Sequence, residues 1–324
     1  IRPKWMVTCL PPALVAVVVS MVMLPLSSNK LLIMDPFVDP EDVDLEMMRY
    51  RPNGWPMIPM FIELVMRNGR VPKDYDMSHL LAAGAGCEAV NNNQLDRVQN
   101  FLEEHNCHVR FTVGYGSSEG GSNLTFQMAP KSIHNGNVGI PMPLTDMSVF
   151  KPGTQEELGY NEMGEICTVG PGNMLGYDRR SATAKTLQRH ADGKIWLHTG
   201  DIGYVDEDGV FYVLNRGAAF RYGGGELAVL PMENRLADAK IKGIKDEFFV
   251  LIEDEDHDGY FVPYLYVVLE DGYSVDDIID DVQSCLEPYM FPVEILAIDE
   301  RPFFHFKTNR IELSKELKRK KYDC

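Results

Sequence analysis

Cysteine is sparse and unpaired in this sequence. Six are spread over 324 residues (Cys9, Cys87, Cys107, Cys167, Cys285 and Cys324), none in a Cys-x-x-Cys pair and none followed by histidine at a metal-ligand spacing. This pattern excludes a disulfide framework and any zinc site legible from local spacing, and it points to reduced thiols in a cytoplasmic protein. Positive charge is also short: 31 Lys and Arg stand against 48 Asp and Glu, for a formal net charge of −17. The average field repels polyanions, which excludes nucleic acid and anionic membrane as general partners. The one basic cluster, Lys315 to Lys321, reads as a solvated helix end. Long apolar runs are missing as well. LPPALVAVVVSMVMLPL, from Leu10 to Leu26, is uncharged but falls below the roughly 20 residues of a spanning helix, and contains Pro11, Pro12 and Pro25. No stable membrane span is expected; the run reads as a buried core helix, with a signal segment behind Arg2 and Lys4, or a membrane segment, as the alternative. The first residue is Ile1, not Met, so the natural N-terminus is expected upstream.

Hydrophobic residues make up 45% and charged residues 24% of the chain, enough apolar material for about two ordinary domains. The first third alternates strand and helix patterns. Lys30 to Phe37 reads as a short buried strand stopped by Asp35-Pro36, and Asp39 as the cap of a helix with Pro40 at its first position. Met57 to Asn68 reads as a helix preceded by Pro56, Leu80 to Gly86 as a strand ending in glycines, Gln94 to His105 as an amphipathic helix and His108 to Gly116 as another strand. Strand, helix, strand is the pattern of a parallel sheet, whose ligands sit at the carboxyl ends of the strands. From about Gly136 short strands dominate. Asp206 to Gly209 marks a hairpin between Tyr204-Val205 and Val210-Phe211, and two later strands flank an acidic turn ahead of a Val275 to Leu286 helix.

Two constellations carry chemistry. In Gly114-Tyr115-Gly116-Ser117-Ser118-Glu119 the glycines allow close backbone approach, the hydroxyls suit phosphate oxygens, and the carboxylate suits Mg²⁺; a plain strand-to-helix turn is the structural alternative. In Trp196-Leu197-His198-Thr199-Gly200-Asp201 a carboxylate after a tight glycine turn suits both hydroxyls of a ribose; the alternative is a turn aspartate bound to its own backbone.

In this order and followed by Arg216, the two constellations resemble those of adenylate-forming (AMP-binding) enzymes of the acyl-CoA synthetase type. Gly84-Ala85-Gly86-Cys87-Glu88-Ala89 resembles that family's adenine-site strand end. Gly139 to Pro143, Gly164-Glu165-Ile166 and Met174 to Tyr177 resemble its β-subdomain motifs, and Pro231 to Asn234 the start of its C-terminal domain. The resemblance spans nearly the whole chain. It implies an α/β fold: the parallel-sheet part of a large AMP-binding domain (about residues 1–130), an antiparallel β subdomain (131–215) and a smaller, mobile α+β C-terminal domain (216–324).

The resemblance further implies ATP-dependent activation of a small-molecule carboxylate through an acyl-adenylate, then transfer to coenzyme A. Ser118 would contact phosphate, with Gly116 in the same loop. Glu119 would hold Mg²⁺, and Tyr115 would stack near adenine with Gly86, Cys87 and Glu88. Asp201 would take the ribose hydroxyls and Arg216 would assist. The family's C-terminal catalytic lysine falls on Arg310 or on Lys307, depending on whether register is taken from Ile311 or from Pro302. Met57, Met60 and Phe61 point to an apolar acyl group, as in fatty acid metabolism, or to plain core. The family's Thr-Ser-Gly-rich phosphate loop is absent from the 324 residues. The chain is therefore expected to be truncated at its N-terminus. The alternative function is an incomplete or non-catalytic adenylate-binding paralogue.

Overall fold

The computed structural model describes residues 3–8, 10, 13–127, 132–304 and 307–322; Cys9, Pro11, Pro12, Phe306 and Cys324, and the side chains of Lys320 and Lys321, lie outside the described set. The fold divides into two compact units, Ile1–Val90 with Gln94–Val213, and Leu214–Cys324 with Asn91–Asn93.

The first unit opens with β1 (Lys4–Thr8) and a π-helical segment, Val17–Met23, that runs into α1 (Leu24–Ser27). Then come β2 (Leu31–Asp35), α2 (Val43–Tyr50), β3 (Gly54–Met57), α3 (Pro59–Asn68), β4 (Ala82–Ala85), α4 (Asn92–Glu104) and β5 (Thr112–Val113). The five strands form one parallel sheet in the order β2-β1-β3-β4-β5. Local chemistry sets the helix ends: Asp39 accepts from the Glu41 amide at 3.0 Å, and α3 starts with Pro59 in its first turn and stops at left-handed Gly69.

Three expectations are corrected here. The apolar run does not form a buried core helix. Val17, Met21 and Pro25, four residues apart, face inward, while Leu14, Met23, Leu24 and Leu26 are exposed, because a short helix beside a sheet can bury only one stripe. Among the described residues no helix is long and apolar enough to cross a membrane. β2 is an edge strand rather than a buried one, with Leu31 and Met34 exposed. Met57 closes β3 instead of starting a helix; a four-residue strand containing Pro56 shows no alternation to betray it.

The antiparallel layer holds β8 (Thr125–Phe126), β9 (Asn137–Pro141), β10 (Asp146–Phe150), β11 (Gly164–Val169), β13 (Ile195–Val205) and β14 (Phe211–Arg216), in the order β10-β11-β13-β14-β9-β8. A short hairpin, β6 (Gly116–Ser117) with β7 (Ser122–Asn123), precedes it, and α5 (Arg180–Thr186) leads into β12 (Leu187–Arg189), which pairs with β13. The β13–β14 turn forms as expected: Asp206 Oδ1 accepts the amides of Asp208 and Val210, each at 2.9 Å.

In the second unit β15 (Ile244–Glu253), β16 (Phe261–Leu269) and β17 (Ile295–Ile298) form a three-stranded sheet, with α6 (Val229–Ala239) and α7 (Val275–Cys285) on one face. Alternation along β15 sends Phe249 to the core shared with Met232, Leu236, Ile278 and Val282, and Phe248, Val250 and Ile252 to the other face. There they meet Leu317 of α8 (Arg310–Tyr322), which follows the β18 (Phe303–Phe304) and β19 (Lys307–Thr308) hairpin. A reciprocal Ser274–Asp277 capping box starts α7.

Candidate functional site

The parallel sheet places two turns side by side. β4 and β5 are neighbours, and the Gly114 amide donates to Ala85 O at 2.9 Å just past both strand ends. Gly86, Cys87 and Glu88 therefore lie next to Gly114-Tyr115-Gly116. Cys87 is exposed in the left-handed region with φ 76°. The segment after Gly114 is not a strand-to-helix turn. It folds back through β6 and β7, and Gly116 is required there because a Cβ would lie 1.9 Å from the Ser122 carbonyl oxygen. The Ser117 hydroxyl accepts the Gly120 amide at 2.9 Å, while Ser118 is exposed at the tip.

Asp201 was expected after a turn, but the structure keeps it inside β13. Gly200 has φ 75°, and the β11–β13 register shifts between Glu165 and Cys167, so the strand bulges without ending. The bulge re-aims the carboxylate inward. The Tyr115 hydroxyl donates to Asp201 Oδ2 at 2.7 Å, both residues are buried, and they are 86 positions apart. The Asp201 amide donates to the Thr199 hydroxyl at 3.1 Å, which itself donates to Ile166 O at 2.6 Å. One residue of each sequence constellation is thus joined by a charge-assisted hydrogen bond.

Glu119 lies on the hairpin turn. Tyr177 donates its hydroxyl to Glu119 Oε1 at 2.6 Å, and the Met174 amide donates to Glu119 O at 2.7 Å. The Met174 to Tyr177 motif therefore packs on the carboxylate proposed to hold metal. Sequence reading assigned Tyr177 no part; only its place in a recognised motif signalled it.

In the second unit Arg310 donates from Nη2 to Glu233 Oε1 at 2.9 Å and from Nε to Phe249 O at 3.1 Å. The buried Glu233 also accepts the Phe249 amide at 2.9 Å. Lys307 is exposed on β19, and Arg216 is exposed at the end of β14. Met57, Met60, Phe61 and Leu64 are all buried, the plain-core arrangement. Two surface cavities of about 480 and 530 Å³ lie in the second unit, lined by Asp254, Asp256 and Tyr264 and by Tyr222, Gly224 and Tyr289 respectively.

Residues 3–178 match the AMP-binding enzyme family. The 4-coumarate-CoA ligase 1 of Narcissus pseudonarcissus is 29% identical over 211 residues, 61% of this chain and 37% of that protein. The 4-coumarate–CoA ligase 2 of Nicotiana tabacum is 27% identical over 262 residues, 78% of this chain and 46% of that protein. The chain thus spans less than half the length of these two relatives. Among solved structures, ATP-bound MatB from Rhodopseudomonas palustris superposes with a TM-score of 0.80 at 20% identity, over 98% of this chain and 61% of that one. The o-succinylbenzoate coenzyme A synthetase of Bacillus subtilis, in complex with ATP and magnesium ion, gives 0.72 at 21% identity, over 96% of this chain and 61% of that one. At such identities the likeness establishes the fold.

Proposed function

We propose, since the chain belongs to the AMP-binding enzyme family, that it binds ATP and Mg²⁺, activates a small-molecule carboxylate as its acyl-adenylate and delivers the acyl group to coenzyme A. Its fold is that of the adenylate-forming enzymes, a parallel α/β sheet with an antiparallel layer and an α+β unit. The reading rests on one observation above others, the buried hydrogen bond that seats Tyr115 on Asp201.

The residues fit that chemistry. Asp201 is a buried carboxylate that accepts from a phenol at Oδ2, a place that a ribose hydroxyl can take when the ring moves aside toward adenine. Gly86, Cys87, Glu88 and Gly116 bring the backbone of two adjacent turns to the base, with Arg216 assisting. Glu119 offers hard oxygens from a solvent-facing turn, which suits an ion that retains several waters, and Ser118 beside it offers a hydroxyl to phosphate. Bound Mg²⁺ would neutralise phosphate charge. Of the two C-terminal cations, Lys307 is exposed and Arg310 is engaged by Glu233, so a phosphate role for Arg310 requires release from that pair. A swing of the second unit between the two half-reactions is part of the proposal.

The relatives' names concern 4-coumarate, which gives no support to fatty acid metabolism; aromatic carboxylates of that kind head the substrate panel. The free thiols Cys87, Cys107, Cys167 and Cys285 agree with a cytoplasmic setting. Carboxylate-dependent pyrophosphate exchange is the test, with Glu119→Gln and separate Lys307→Ala and Arg310→Ala variants. Exchange by Glu119→Gln at the wild-type rate overturns its metal role. The second reading is an adenylate-binding chain without catalysis. It requires AMP to bind better than ATP with no exchange for any carboxylate. If calorimetry shows neither nucleotide binding, both readings fail.

A further inference from the structure

Three side chains unused by the nucleotide reading converge inside the antiparallel layer. Glu165 and Cys167 lie on β11 and His198 on β13, and a carboxylate oxygen, the sulfur and a ring nitrogen all fall within 4.8 Å of one another. Glu165 Oε2 is 2.9 Å and Cys167 Sγ 3.4 Å from the same atom, His198 Nδ1. That atom carries one proton or one lone pair, never both. If Nδ1–H donates to the carboxylate, the thiol has no acceptor there; if the thiol donates to Nδ1, the carboxylate meets a lone pair. The thiol's other acceptor is the Glu165 carbonyl oxygen, at a long 3.8 Å. A cation at its centre satisfies all three.

We infer that Glu165, Cys167 and His198 form a binding site for one zinc-class divalent cation, with His190 as the outer support of the His198 imidazole. A tetrahedral ion at ordinary Zn–N, Zn–O and Zn–S lengths sets the donors about 3.3 Å (N to O) and about 3.6 Å (N to S) apart. These two observed separations need to open by only a few tenths of an ångström. Sulfur with imidazole and carboxylate is a borderline-soft donor set that selects Zn²⁺ over Mg²⁺. The remaining atoms of the ligands are already held. Glu165 Oε1 accepts the Gly200 amide at 3.0 Å, and His198 Nε2 contacts His190 Nε2 at 2.9 Å. Such outer contacts orient ligands in built metal sites. Cys167 is fully buried, and Phe150 and Trp196 pack edge-on at 5.0 Å beside the cluster. Burial, followed by the Glu165 charge, pushes the Cys167 thiol far up, so without a cation it stays protonated. Three protein ligands leave a fourth position open.

The protons balance. Cation binding expels the thiol proton. His198 moves its proton from Nδ1 to Nε2, and His190 moves its own from Nε2 to Nδ1, so the histidine pair reverses its hydrogen bond and one proton in all reaches solvent.

The test is titration of the full chain, stripped of metal by a chelator, with Co²⁺ alone. One equivalent is expected to produce a thiolate-to-cobalt charge-transfer band and strong tetrahedral d–d bands; Cys167→Ser removes the charge-transfer band, and His190→Gln weakens Co²⁺ about tenfold, the lower end for an outer-shell partner. Absence of the band at one equivalent, or its persistence in Cys167→Ser, overturns the site. Should Cys167→Ser fail to fold by circular dichroism, His190→Gln decides: tenfold weakening supports the site and unchanged affinity overturns it. None of these readouts depends on nucleotide binding.

Discussion

Asp201 and Glu233 are buried acids, one in each unit, and they accept from different kinds of donor. Asp201 in the first unit is met by a neutral phenol, whereas Glu233 in the second is met by a guanidinium and a backbone amide. A phenol can leave and be replaced by another hydroxyl without stranding a charge. Arg310 cannot leave Glu233 so cheaply, because it also holds Phe249 O and lies 5.8 Å over the Phe248 ring. The comparison teaches that burial alone does not mark a binding residue. On the proposed reading the kind of donor does: a phenol at Asp201, a guanidinium at Glu233.

The largest expected effect is on the structural side. Glu233→Ala strands Arg310 and the Phe249 amide, and should cost about 3 kcal/mol of second-unit stability, the low end for a broken buried pair because Arg310 remains 29% exposed. Denaturant unfolding read on that unit checks it, and a loss below about 1 kcal/mol would make the pair a surface contact. Next comes Asp201→Ala, which should weaken AMP about 100-fold by calorimetry, the worth of two charge-assisted hydrogen bonds at the lower end of their range. Unchanged affinity would reduce Asp201 to a bulge residue. Tyr115→Phe should be milder, about 1 kcal/mol of first-unit stability with AMP weakened only a few-fold, since the phenol is displaced on binding. A Tyr115→Phe loss of affinity equal to that of Asp201→Ala would erase the distinction drawn here.

The smallest effect is one of pH. Burial, followed by the charge of Arg51, holds the His79 imidazole below its ordinary value of 6.5. Below that value the unfolded chain takes up a proton that the folded chain resists. First-unit stability should therefore decline as pH falls from 6.5 toward the lower folded value, and His79→Gln should flatten the decline. Melting temperatures at pH 7.5 and 5.5 read the difference; equal slopes in both proteins would remove His79 as the cause.

Much of the framework was legible because its causes are local. Asp39 capping a Pro-started turn and the Asp206 hairpin depend on residues within a few positions of each other. β1 and β3 escaped because each is short and lacks alternation, and the exposed stripe on the Val17–Met23 segment escaped because uniform apolarity hides which face meets the sheet. At the candidate site, residue types and order pointed to Tyr115, Glu119 and Asp201. Their partners did not follow from order: Tyr177 reaches Glu119 across 58 positions.

By itself the sequence determined the family, the alternation of strand and helix and the positions of the two constellations, all of which follow from residue type and short spacing. Only the tertiary structure decided that Asp201 faces Tyr115, that Arg310 is tied to Glu233 and that Glu165, Cys167 and His198 share one point. The reason is that each contact joins residues far apart in sequence, through packing of separate elements or through sheet register. Cys167 pairs across the ladder with His198, 31 positions away, and a one-residue slip of either strand would turn that strand's side chains to the opposite face.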